Sequence, residues 1–447
     1  MSNSTKSELV FDIANSSMND FVQASTIQTQ EQADVLKALG YFIVEPFDVL
    51  AGMCQCEHPE NLYYSKGLSG MVYYFDKAKL LIIPYRVEFP QMYESHPFSE
   101  IISASEKDMN SKNGYLRCMM GLSDRMKMEY LKLLIANNVP NLYFIFTDTY
   151  FGSDYGCDVI TVEEMEKVWS SKTEAEKELT QKKLLNFPET VTVYRGMGSK
   201  STDINKAYSW TTNVNVANFF ATRFEDDNAK IIEGEVQKKD IIEYYDGRGE
   251  HEVLVFPKNV KETDRLDMYG VDDISDLLGR DGIELYQQYR NTLASLPKFP
   301  HDTKGHGKEH CMRVLFLSIM IGKMLDLDKT DLKTLATAAI FHDSKRKTDA
   351  DEPTHGEAAA KYCENVMGKN RTLSFIIKYH SLSDDEARPA SPNPSALQML
   401  WILKDADALD RVRFGPRDLN MKYLRFQESK QLSMIASIAY QQLRLSK

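Results

Sequence analysis

The sequence predicts a multidomain α+β protein, with mixed strands and helices as far as about residue 260 and helices alone beyond residue 300. Three observations carry this. Short apolar and aromatic runs of strand length cluster between Val191 and Pro257. Pro297 and Pro300, followed by the polar HDTKGHG, mark a boundary, and every apolar run after it recurs at helical spacing. A chain of 447 residues fits two or three domains, and 43% hydrophobic with 27% charged residues is the composition of a folded protein.

Residues 1–112 read as an α+β region of unknown role. Their clearest signal is the hairpin GMVYYFDKAKLLIIPYRVEF, which turns at Asp76-Lys77-Ala78-Lys79. In residues 113–260, Tyr115 to Ala136 has helical spacing, and NLYFIFTDTYFG is a strand or a buried segment ended by Gly152. TVEEMEKVWSSKTEAEKELTQKKLLN reads as a polar helix, opened by the capping pair Thr161 and Glu164 and stopped at Pro188. Strands follow in VTVYRGM, AYSWTT, KIIEGEV, IIEYYD and HEVLVFP, with one helix from Val214 to Arg223 among them. Residues 261–300 are expected as a helical linker, periodic from Asp272 to Leu296. In residues 301–447 six helical segments are expected, with SDDEARPASPNPS as a surface connection between two of them.

A net charge of −11 argues against general nucleic-acid binding, which draws on surplus Lys and Arg. Six dispersed cysteines suit a reducing compartment, and Cys54-Gln-Cys56 with His58 lacks the second ligand pair of a zinc site. The first residues show no basic stretch followed by an apolar one, and no segment approaches eighteen apolar residues. The expected location is cytoplasmic, or exported without a cleavable signal peptide, with no membrane segment.

Of nine histidines, six lie between His301 and His380. His342-Asp343 ends the apolar run LATAAIF, where two inward polar residues cost several kcal/mol unless paired or ligated. HGKEHCMRV, IFHDSKRK and LKDADALDR together resemble the HD superfamily of metal-dependent phosphohydrolases. The resemblance implies His310, His342, Asp343 and Asp407 as metal ligands, with Asp405 as the alternative to Asp407. His355 and His380 match the extra histidines of members with a second metal. Such ligands suit Mn, Fe, Mg or Zn, and a nucleotide or phosphodiester substrate is implied. Lys345, Arg346 and Lys347 either hold a phosphate or form a solvated helix end.

In the strand-rich region Arg195, Ser209 and the pair Glu250 and Glu252 follow one another at strand ends. In that order they resemble the mono-ADP-ribosyltransferases of the Arg-Ser-Glu type, over about Leu185 to Pro257. The family's Ser-Thr-Ser strand appears here as Ser209-Trp210-Thr211, and Trp210 reads as a core residue or a stacking surface. The resemblance implies NAD as substrate, bound by Arg195, Gly196, Ser209, Thr211 and Glu252. Catalysis would fall to Glu252, Glu250, Ser209 and Arg195, with Glu250 facing an arginine acceptor on a protein target. RGMGSKS lacks the Gly-Lys-Ser/Thr of a phosphate loop.

The expected protein therefore pairs an NAD-dependent transferase with a metal phosphohydrolase; the transferase resemblance implies an effector, a toxin or a phage protein acting on its host. NAD glycohydrolysis, or a phosphohydrolase beside a non-catalytic NAD-binding-like domain, are the alternatives.

Overall fold

A computed structural model describes residues 16–66, 71–226, 228–303, 305–350, 352–415 and 417–445. The expectation that the chain opens without a secretion signal falls mainly on residues 1–15, outside the described residues.

The N-terminal hairpin forms as its pattern requires. Strands β1 (Val22–Gln23), β2 (Leu62–Tyr64), β3 (Val72–Asp76) and β4 (Leu81–Tyr85) make an antiparallel sheet in chain order. Asp76 closes the β3–β4 turn by accepting from the amides of Ala78 at 3.0 Å and Lys79 at 3.2 Å. Helices Gly114–Cys118 and Asp124–Ala136 follow, separated at Gly121, whose φ of +92° needs a residue without Cβ.

NLYFIFTDTYFG is a buried segment and not a strand: Leu142–Phe151 is a helix ending at Gly152. Its side chains are apolar on nearly every side because protein surrounds it. The polar stretch after it is two helices, Val162–Ser170 and Glu174–Lys183, with capping boxes at Thr161 and Thr173. One apolar core runs from Ala24 to Val168 without a break at residue 112, and it includes Ile242 and Leu254 from the second sheet and Tyr208 just before its strand β6.

That second sheet contains β5 (Thr190–Met197), β6 (Ser209–Thr211), β7 (Lys230–Gln237), β8 (Ile241–Tyr245), β9 (Glu252–Val255) and β10 (Lys261–Asp267). Its order is β10-β7-β5-β6-β9-β8, antiparallel throughout. Residues 261–267 thus begin the expected helical linker as a strand. KETDRLD is almost wholly exposed on the sheet's edge, so no apolar alternation betrays it. A Cβ on Gly196 would collide with the backbone of Ala217, so glycine lets helix Val214–Thr222 lie against β5.

Helix Ile274–Ser295 leads into the C-terminal bundle, whose central helix Lys308–Met324 is buried continuously from His310 to Gly322. Lys329–Phe341 and Pro394–Leu409 pack on this central helix, Arg371–Tyr379 packs on both of those, and His355–Met367 packs on Arg371–Tyr379. SDDEARPASPNPS is more ordered than a connection, since Asp384–Ala390 is a helix capped by Ser383 and Glu386. The final segment is interrupted and contains helices Gln427–Gln431 and Ser433–Gln442. None of the described helices is long and apolar enough to cross a membrane.

The two halves touch through helix Val214–Thr222, whose Ala217 and Ala221 belong to the C-terminal core. Asn215 accepts from the Met421 amide at 2.8 Å, and Asn218 accepts from the Ser433 hydroxyl at 2.7 Å.

Candidate functional site

The structure gathers most of the residues singled out by the sequence into two places. In the C-terminal bundle His310 lies on the central helix, His342 and Asp343 at the end of Lys329–Phe341, and His355 opens the next helix. His380 ends Arg371–Tyr379, and Asp407 lies on Pro394–Leu409. Five elements thus converge, so each inward polar residue meets others instead of apolar neighbours.

His310 Nε2 lies 3.1 Å from His342 Nε2, 3.3 Å from Asp407 Oδ1 and 3.7 Å from Asp343 Oδ2. On the other side of Asp343, Oδ1 lies 3.0 Å from His355 Nε2 and 3.5 Å from His380 Nε2, and those two nitrogens are 2.9 Å apart. Asp343 therefore stands between two histidine pairs, one oxygen toward each.

The opposite ring nitrogens explain why the Nε2 atoms all face inward. His310 Nδ1 lies 2.7 Å from Asp410 Oδ2, His342 Nδ1 2.8 Å from the Ala339 carbonyl and His380 Nδ1 2.7 Å from the Ile377 carbonyl. His355 Nδ1 meets the carbonyl of Glu352. An Nδ1–H donating to each of these acceptors leaves the Nε2 lone pair inward, as metal-binding imidazoles require. Burial holds His342 down to about 3, so it stays neutral and keeps that lone pair. Four such lone pairs beside two carboxylates fit one or two divalent cations.

Asp405 is elsewhere. It is held by Arg425, with Nη1 at 2.9 Å and the backbone amide at 2.8 Å, and takes no part in the cluster. Arg346 folds back on the carbonyls of Thr348 and Ala350, and Lys345 lies 3.7 Å over the Tyr362 ring. Two contributors went unread in the sequence. His306 places Nδ1 3.1 Å from Asp343 Oδ2, and its signal was the four-residue spacing to His310. Asp410 fixes His310 and is held by Arg313 at 2.6 and 2.9 Å; its signal was a third aspartate in DADALD.

The second place is a cleft of about 450 Å³ on the six-stranded sheet, whose lining includes Arg195, Gly196, Ser209, Thr211, Glu250 and Glu252. Sheet order makes the grouping: β6 lies between β5, which carries Arg195, and β9, which begins at Glu252. Arg195 Nη1 donates to the Ser209 carbonyl at 2.6 Å, and its buried Nε has no hydrogen-bond partner among the described residues. The Ser209 hydroxyl donates to Glu252 Oε1. Burial raises the Glu252 carboxyl to about 7, against the pull of Ser209. Trp210 packs in the core beneath the sheet.

Glu250 is not open as expected. Arg248 donates to its Oε2 at 2.7 and 3.2 Å, and Arg417 Nη2 donates to its Oε1 at 3.1 Å. Thr211 Oγ1 donates to the Glu250 carbonyl at 2.6 Å and accepts from the Asn213 amide, so it braces the turn. His251 turns aside, with Nδ1 3.1 Å from the Tyr244 hydroxyl. Arg417 follows the last metal-site helix, and nothing in its sequence neighbourhood signalled a contact with Glu250.

Comparison with family models matches residues 307–412 to the HD domain. Neither the curated proteins nor the solved structures contain a match to this chain. The HD match and the His/Asp cluster indicate metal-dependent hydrolase chemistry in the C-terminal half, on a nucleotide or other phosphoester.

Proposed function

We propose that the chain is a two-centre enzyme. Its C-terminal centre hydrolyses a nucleotide or phosphodiester, and its cleft on the six-stranded sheet cleaves NAD and transfers ADP-ribose to an arginine of a protein target. One observation carries the first part: four imidazoles, each with Nδ1 engaged outward, turn Nε2 toward Asp343 and its neighbours.

His310, His342, Asp343 and Asp407 would hold one divalent cation, and Asp343, His355 and His380 a second. Bound there, Mn, Fe, Mg or Zn supplies a water of lowered pKa and neutralises phosphoryl charge. The protein's own contribution is orientation: Asp410 fixes the ring of His310, and Arg313 holds Asp410 by a buried two-point pair. Purified protein given Mn or Mg should hydrolyse members of a nucleotide panel. Loss of that turnover in the double variant His342→Ala, Asp343→Ala is the supporting outcome, and unchanged turnover rejects this centre.

In the cleft the reading rests on Arg195, Ser209 and Glu252 lying on adjacent strands around one cavity. As the bond between ribose C1′ and nicotinamide breaks, positive charge develops on the sugar, and an ionised Glu252 stabilises it. Ser209 holds Glu252 in place, and Arg195 is the cation for the dinucleotide's phosphates. Labelled NAD incubated with lysate should mark a protein band, and Glu252→Gln should erase it. The arginines on both oxygens of Glu250 favour a second reading, NAD glycohydrolysis, in which water takes the sugar. Nicotinamide release without any labelled band would select it.

A further inference from the structure

The turn after helix Pro394–Leu409 carries two side chains beside the cluster whose contacts leave them only partly used. Arg413 is one. Its side chain is 3% exposed, yet its nearest carboxylate contact is a long one, Nη1 to Asp410 Oδ2 at 3.5 Å. Its Nε has no hydrogen-bond partner among the described residues. Asp410 does not need it, because Arg313 already makes the shorter pair. A guanidinium withdrawn from water with a donor unmet is costly unless another acceptor arrives.

Phe414 is the other. It is 49% exposed although it directly follows this buried arginine. Arg413 Cζ lies 4.3 Å from its ring centre, and the ring of His306, itself against Asp343, lies 6.0 Å away. An exposed aromatic ring and an under-satisfied guanidinium thus adjoin the cluster on the same side as His306.

We propose that Arg413 and Phe414 form the substrate-recognition side of the metal centre, Arg413 donating to a phosphoryl oxygen and Phe414 stacking a nucleobase. This rests on the phosphohydrolase reading and narrows it to nucleotides, since a sugar phosphate offers nothing to the ring. Aromatic rings hold bases by their π-faces with little preference among them, so recognition is of the class and not of one base.

Calorimetry on the full, metal-loaded chain tests this with two non-hydrolysable probes, the 5′-phosphonate of adenosine and the matching phosphonate of ribose. Phe414→Ala should weaken the adenosine probe by roughly 5- to 100-fold and leave the ribose probe unchanged. Arg413→Gln should weaken both probes by about tenfold or more, with metal content per chain equal to wild type in both variants. Because Arg413 is buried, Arg413→Lys serves as a second variant; it keeps the charge, loses the planar fork and should weaken both probes too. Equal affinity of wild-type protein for the two probes, or a Phe414→Ala protein that binds the adenosine probe as tightly as wild type, overturns the proposal and leaves the phosphohydrolase reading standing. Wild-type protein that takes up no metal overturns both.

Discussion

The metal centre and the cleft are built on opposite plans. In the first, four imidazoles are each fixed at the outer nitrogen and aimed by the inner one, leaving them a single use. In the second, the polar groups mostly engage one another: Ser209 with Glu252, Arg195 with the Ser209 backbone, and Glu250 with two arginines. Residues that all turn one kind of donor toward the same point identify a centre strongly. Residues satisfied among themselves identify a shape, and their chemistry has to be found by experiment.

The largest expected effects break one centre and spare the other. Chelation of metal should abolish phosphohydrolase turnover and leave nicotinamide release intact. Glu252→Gln should lower NAD turnover by about 10²- to 10³-fold and leave the metal content unchanged. Loss of both activities in either experiment would mean that the centres are not independent.

Asp410→Asn is a step smaller. It removes the carboxylate behind His310 without touching a proposed ligand, and metal affinity should fall roughly 10- to 100-fold. An unchanged affinity in a metal titration would deny Asp410 that role.

Acidity offers a subtler comparison. Burial raises Glu252 to about 7, so the carboxylate form that stabilises a charged sugar accumulates as pH climbs through that value, and NAD turnover should climb with it. Ser209→Ala removes a donor that favours the ionised form, and the midpoint should move to higher pH. Stability runs the other way. A folded-state value above that of the unfolded chain contributes stability that is fully present below the unfolded carboxyl range and is lost as pH rises through about 7. Glu252→Gln should flatten that part of the stability profile.

The smallest effect concerns the contact between halves. The Arg417–Glu250 pair is partly exposed, and Arg417→Ala should cost less than about 1 kcal/mol of stability by chemical denaturation. It should nevertheless change the ratio of labelled protein to released nicotinamide, because it frees one oxygen of Glu250.

Much of this was legible in the sequence for physical reasons. Apolar periodicity located the bundle helices, since burial on one side imposes it, and the hairpin at Asp76 declared its own turn. The histidines stood out because inward polar residues at the ends of apolar helices need partners. Strand β10 escaped because an exposed edge strand buries nothing. Helix Leu142–Phe151 was ambiguous because it is buried on most sides, and Asp148 alone is too little polar face to set its period. His306 sits in a polar turn before its helix, and only the fold brings it against Asp343. Arg417 and Glu250 lie far apart in the chain, and no local pattern encodes their meeting.

The central claim is that the converging histidines and aspartates hold metal. Elemental analysis of the purified chain, beside the His342→Ala, Asp343→Ala variant, tests it most directly. About one or two divalent transition-metal ions per wild-type chain and none in the folded variant is the predicted result. The same metal content in both, or none in wild-type protein supplied with Mn, Fe or Zn, would contradict it.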